Sequence, residues 1–232
     1  MKVHFVGFGL GSLDYLTLKG YELLKRADLI IYPGSLIEVE ELSEFKAEKV
    51  NSHGMKLEEI IELIERNVRM GRRVVRLVSG DPAVYSALNE QIEELERRGI
   101  ECEVVPGVSS ALAVSSFIKR ELTSPNVSHA VVITRVRGRT LEEDWLEEFA
   151  RIPCTIVLLL SADKIREIAE RIGRIRGKDE PVVVAYGLGR RGQRIVEGTL
   201  GDIAEKAGDI RRLAVVVVGR VLKEGGRSYL YS

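Results

Sequence analysis

The chain reads as an α/β protein of two halves, each on a mainly parallel sheet, with a ligand cleft between them. Three observations predict this. Short β-branched apolar runs alternate with amphipathic stretches of helical period. Glycine- and hydroxyl-rich loops follow those runs. A polar, proline-bearing segment, Lys119 to Ser128, interrupts the alternation near the middle. Runs that are apolar throughout suit strands covered on both faces, the condition of a parallel sheet flanked by helices.

The strand-like runs, in order, are Val3 to Val6, Leu29 to Tyr32, Val74 to Val78, Glu103 to Val105, Ala130 to Ile133, Thr155 to Leu160, Val182 to Ala185 and Ala214 to Val218. Between them, Leu57, Ile60, Ile61, Ile64 and Val68 recur at helical spacing, with Glu62/Arg66 and Glu65/Arg69 as i,i+4 pairs on the opposite side and Gly71 as the stop. A second helix carries Val84, Leu88, Ile92 and Leu95 and ends at Gly99. A third takes Asp163 as its N-cap, carries Ile165, Ile168 and Ile172, and ends at Gly173. The break at Lys119 to Ser128 gives an N-terminal half over 1–120 and a C-terminal half over 121–232.

Composition narrows the function. The 232 residues are 45% hydrophobic and 30% charged, and 35 Lys plus Arg balance 35 Asp plus Glu. A chain without basic excess is not built to hold nucleic acid, whose backbone demands it. Cys102 and Cys154 lie far apart, without metal-ligand spacing, and read as small core residues. No metal site is expected. MKVHFVGFG reaches its glycines too early for a signal peptide, and the longest apolar runs are too short to span a bilayer. The expectation is a cytoplasmic protein with no membrane partner.

The loops after the strands hold the unusual residues. They are Gly7, Gly9 and Gly11; Tyr32-Pro33-Gly34-Ser35; Ser79-Gly80-Asp81-Pro82; and Pro106-Gly107-Val108-Ser109-Ser110. In the second half they are Thr134 to Thr140, Leu160 to Asp163 and Tyr186 to Gly192. In a parallel sheet the strand C-termini share one edge, where ligands bind. The first cluster is not a dinucleotide fingerprint: the third glycine, Gly11, comes one position early, and the second strand ends in Tyr32 instead of an acid. No Lys-Ser/Thr pair follows it, so it is not a phosphate loop either.

Motifs at these loops are more specific. VGFGLGSLDYLTLKG (Val6 to Gly20), SGDPAVY (Ser79 to Tyr85) and VPGVSS (Val105 to Ser110) resemble, in order and interval, those of the tetrapyrrole (corrin/porphyrin) methylases. YPGSLI (Tyr32 to Ile37) and LTSPNVSHAVVITRVRGRT (Leu122 to Thr140) resemble the branch that methylates a corrin precursor at C11. Departures from that branch are Pro33, Ser79 and Ser86. The resemblance implies two α/β halves, S-adenosylmethionine as methyl donor, a tetrapyrrole substrate and a homodimer. It assigns donor contacts to Leu10, Ser79, Gly80, Asp81, Val84, Ser109, Ser110, Leu160 and Leu188. Taken alone, Asp81 reads as a turn or N-cap residue, and Leu160 as core.

Methyl transfer from a sulfonium to carbon is an in-line displacement needing orientation more than acid–base machinery. The electron-rich macrocycle supplies the nucleophile, and no catalytic base is assigned. Arg135, Arg137, Arg139, Arg190, Arg191 and Arg194 lie in second-half loops that suit the acetate and propionate carboxylates of a corrin precursor, Arg135 and Arg139 best. Gly9, Ser35 and Tyr85 complete the candidate substrate contacts. His53 reads as a loop histidine and His4 as structural. Sibling activities on other ring carbons, a protein methyltransferase of the same family and a non-catalytic nucleotide-binding module remain open at this point.

Overall fold

The computed structural model describes residues 2–138 and 141–227. The chain divides between Ser109 and Ser110, ahead of the expected boundary at 120/121. The reason is helix α4 (Ser110–Ile118), which contacts the last strand, β10 (Ala214–Val218), and so belongs to the second unit.

The first unit contains β1 (Lys2–Gly7), α1 (Leu18–Arg26), β2 (Leu29–Tyr32), β3 (Glu48–Asn51), α2 (Leu57–Arg69), β4 (Val74–Val78), α3 (Leu88–Arg97) and β5 (Glu101–Val105). Its sheet runs β3-β2-β4-β1-β5, parallel throughout. Alternate residues of β4 face opposite ways. Val74 and Val78 pack with Ile60, Ile61, Ile64 and Val68 of α2 and Leu95 of α3. Val75 and Leu77 pack with Leu24 of α1, Phe8, Ile37 and Phe45. Each such side chain contributes about 1.5–3 kcal/mol by leaving water. This double cover explains why the runs of β1, β2 and β4 are largely apolar. β3, with the polar sequence EKVN, is an edge strand that carries no such run.

The second unit contains α4, β6 (Val131–Thr134), α5 (Leu146–Arg151), β7 (Thr155–Leu158), α6 (Ile165–Arg176), β8 (Pro181–Tyr186), β9 (Arg194–Thr199), α7 (Ile203–Lys206) and β10. Its sheet runs β6-β7-β10-β8-β9, and here the parallel expectation fails. Only β6 and β7 pair in parallel; β10 is antiparallel to β7 and β8, and β9 is antiparallel to β8. Burial on both faces makes β7, β8 and β10 apolar whatever their direction, so the pattern could not report it. α6 also departs from its expected ends. Asp163 sits in a preceding 3₁₀ turn, and the helix runs through Gly173 to stop at Gly177, whose φ is +90°. Val84 likewise falls ahead of α3, in the loop. Cys154 is buried, and burial pushes the half-buried Cys102 thiol up to about 11.

Candidate functional site: two sheet edges

In the first unit every strand ends at one edge, and the loops leaving it are tied together. Gly9 and Gly80 exchange backbone hydrogen bonds of 3.1 and 2.9 Å. Asp81 does two jobs: its Oδ1 accepts from the Ala83 amide (2.7 Å), as the turn reading expects, and its Oδ2 accepts from the Gly107 amide (2.9 Å). The loops after β1, β4 and β5 thereby form one surface that presents Ser79, Gly80, Asp81 and Ser109, while Gly9 is buried against the Tyr15 backbone.

Two glycines have different reasons to be there. A Cβ on Gly107 would lie 2.2 Å from the Gly80 carbonyl oxygen, so that position is closed by backbone packing. Gly80 has φ +68°, and a Cβ there would meet nothing nearer than the Ser109 Cα at 3.9 Å. The space before Gly80 is open, so a ligand's polar atoms can approach its backbone. The next segment is unusual too: Tyr85 and Ala87 hold φ of 51° and 53°, and Tyr85 is exposed. Non-glycine residues in that region are costly and gather at functional sites. Val84 is half-buried beside them, whereas Leu10 is buried.

On the same edge, Tyr32 leads into a turn in which the Pro33 carbonyl accepts from the Leu36 and Ile37 amides (2.9 and 3.0 Å). Ser35 is exposed at its tip. Asn51 Oδ1, at the end of β3, accepts from the Gly34 and His53 amides (3.0 and 2.8 Å), and His53 is exposed beside this turn. His4 sits lower in the sheet, its Nε2 3.5 Å from Glu103; burial lowers its pKa and Glu103 opposes.

In the second unit, Arg135 follows β6, Leu160 follows β7, Leu188 follows β8 and Ser110 opens α4. Leu160 is not core: it is 61% exposed, with φ of 54°. Leu188 is buried. Arg139 lies outside the described residues. Arg135 is half-buried, Arg191 is exposed, and Arg194 bonds Asp209 (2.9 Å) with its guanidinium over the Tyr186 ring. The Arg135–Gly138 segment is anchored from below. Asp144 accepts from the Arg137 amide (2.7 Å) and from two Arg171 nitrogens (3.1 and 2.6 Å), while Arg171 also binds Glu147 and Glu167. Burial raises the Asp144 pKa, but Arg171 and the two amides overcome it and hold the carboxyl at about 2.

Sequence reasoning missed Arg211 and Arg212. A parallel β10 would carry its first residues to the far edge. Because β10 is antiparallel, with Val216 opposite Leu158 and Ala214 opposite Tyr186, its start lies at the edge where β7 and β8 end. Arg211 and Arg212 thus join Arg135, Arg190, Arg191 and Arg194 on one strongly basic rim. Leu213, with φ of 54°, adds a second strained leucine to that edge. Among the described residues no group of His, Cys, Asp and Glu is arranged to hold a metal ion.

A parallel sheet with a glycine-lined edge and a second sheet with a basic rim agree with the family comparison. The chain belongs to the tetrapyrrole (corrin/porphyrin) methylases, whose pattern matches residues 2–204. It is 42% identical over 240 residues to the cobalt-precorrin-4 C(11)-methyltransferase of Methanocaldococcus jannaschii, covering 100% of this chain and 91% of that one. Its fold matches the structure of a cobalamin biosynthetic enzyme, cobalt precorrin-4 methyltransferase, with a TM-score of 0.91 at 35% identity over 96% of both chains. It also matches uroporphyrin-III C-methyl transferase from Thermus thermophilus complexed with S-adenyl homocysteine (TM-score 0.83, 32% identity, 96% of this chain and 94% of that one).

Proposed function

We propose that this protein transfers a methyl group from S-adenosylmethionine to C11 of a corrin precursor, precorrin-4 or its cobalt form, in cobalamin biosynthesis. The observation that carries this reading is the end-to-end likeness, at 42% identity, to a protein named for that reaction. The open backbone at Gly80 supports donor binding there, with Leu10, Ser79, Asp81, Val84, Ser109, Ser110, Leu160 and Leu188 as the remaining contacts. When bound, the donor supplies an electrophilic methyl on a sulfonium. The chain's own residues orient and exclude water: backbone groups at Gly80 and Ser109 hold polar atoms, and the exposed Leu160 covers an apolar surface. Gly9, Ser35 and Tyr85 contact the macrocycle. An acceptor carbon must lie about 3–3.5 Å from the methyl and in line with it, so orientation alone selects the carbon.

The test of regiochemistry supplies donor with a labelled methyl to precorrin-4, cobalt-precorrin-4 and earlier intermediates, and locates the label by carbon NMR. Label at C11 is expected. Label at C20, C17 or C2 with none at C11 assigns a sibling activity.

The basic rim makes a separate prediction. Arg135, Arg139 and Arg212 hold ring carboxylates, so alanine at any of them raises the KM for the macrocycle while donor affinity stays constant. Each lost charged hydrogen bond costs about 1.5–3 kcal/mol, roughly tenfold to a hundredfold. Wild-type kinetics in all three variants would make these arginines ordinary surface residues. The same reading takes the protein as a cytoplasmic homodimer, and a sedimentation mass of 25.9 kDa at working concentration would count against the dimer. Among the described residues no helix is long and apolar enough to cross a membrane.

A further inference from the structure

One buried charge in the first unit, Arg76, has no counter-charge among the described residues. Arg76 sits in the middle of β4, flanked on its face of the sheet by Val74 and Val78, and is only 8% exposed. Its partners are all neutral. Nε donates to Gln91 Oε1 (3.1 Å), and Nη1 donates to Ser52 Oγ (3.0 Å) and to the Leu77 carbonyl (3.3 Å). Burial alone lowers its pKa to about 10, leaving it charged at neutral pH. A buried guanidinium without a carboxylate is expensive, and an apolar residue of similar volume would fill this core more favourably. Retaining it calls for a purpose other than stability.

That purpose is visible one bond further out. Ser52 Oγ donates to the Tyr32 carbonyl (3.1 Å), the last residue of β2 before the turn carrying Ser35. Gln91 Nε2 donates to the Ala87 carbonyl (2.8 Å), at the end of the strained segment carrying Tyr85. One planar group therefore reaches two separate loops on the same edge. The surface around Gly80 is tied differently, through the Gly9 bridge and the Asp81–Gly107 bond, neither of which involves Arg76.

We propose that Arg76 is a positioning residue for the macrocycle: through Ser52 and Gln91 it fixes the Ser35 turn and the Tyr85 segment relative to one another, and so decides which ring carbon faces the donor methyl. This rests on the function proposed above.

The experiment uses the full chain with Arg76→Met, Arg76→Lys, Ser52→Ala and Gln91→Leu, each confirmed folded by circular dichroism. S-adenosylhomocysteine affinity by calorimetry should match wild type in every folded variant. KM for the macrocycle should rise about tenfold in Arg76→Met, and labelled methyl should appear at carbons other than C11, because a shift of about 1 Å changes rates by on the order of a hundredfold. Arg76→Lys should rescue poorly, since an ammonium keeps the charge but not the planar fork that spans both partners. Ser52→Ala and Gln91→Leu should each show part of the effect, which keeps the test decisive if Arg76→Met does not fold. Mere destabilisation would lower the amount of active protein without redirecting the methyl. Folded variants with wild-type KM and a single product would overturn the inference. A wild-type chain that binds S-adenosylhomocysteine but methylates no corrin intermediate would instead overturn the substrate reading, and this one with it.

Discussion

Replacing Gly80 by valine abolishes binding of S-adenosylhomocysteine. The backbone at Gly80 lies at φ +68°, where an L-residue costs about 1–2 kcal/mol and a β-branched side chain more. The added carbons also project into the space that only the Ser109 Cα borders, at 3.9 Å. Strain and occlusion act together, so the heat of binding should vanish at any practical ligand concentration. Gly80→Ala, with one carbon in place of three, should bind measurably but more weakly. Calorimetry on protein with wild-type circular dichroism separates lost binding from lost fold. A folded Gly80→Val variant of unchanged affinity would place the donor elsewhere.

Replacing Arg171 by methionine costs about 3–5 kcal/mol of stability in the second unit and reverses its response to acid. The Asp144 side chain is 1% exposed, and Arg171 is the cation that compensates it. In the wild-type protein the Asp144 pKa of about 2 lies below the ordinary carboxylate value, so its contribution is full above about pH 4 and is lost as pH falls through about 2. Without Arg171, burial dominates and drives the pKa up. The variant then regains stability on moderate acidification, as the stranded carboxylate takes a proton. Urea titrations at neutral pH and near pH 4 read this out. The single tryptophan, Trp145, adjoins Asp144 at the start of α5 and reports on this unit rather than the whole chain. A gap between wild type and variant that does not narrow in acid would show that Asp144 is not the group concerned.

The first sheet was legible in the sequence because its strands obey a single rule. Three of its strands, β1, β2 and β4, appear as largely apolar runs, the edge strand β5 shows only as the short stretch Glu103 to Val105, and the loops named from the sequence do leave one edge. β3 and β9 were not legible, since EKVN and RIVEGT are edge strands covered too little to be apolar. Direction was hidden in the second sheet for the opposite reason: uniform burial erases the alternation that marks antiparallel strands. That concealment displaced Arg211 and Arg212 from the candidate site. Arg76 was present as the one polar letter in VVRLV, but its meaning depends on Ser52 and Gln91, which only the fold brings to it. Leu160 looked like core until its strand was seen to end at Leu158, turning the leucine outward.

The position of β10 bears on how the molecule comes into being. It is the last strand of the described chain, yet it occupies the middle of its sheet, between β7 and β8. Synthesis therefore delivers both neighbours well before the strand that joins them. During that interval two apolar strands present unpaired backbone on facing sides, a condition that invites association with other chains. The second unit has to wait for its final strand to acquire a continuous sheet, whereas all the strands of the first are in hand by Val105. Chains cut short before Ala214 should fail by aggregation rather than by fraying, because what they lack is the centre of the sheet and not its rim.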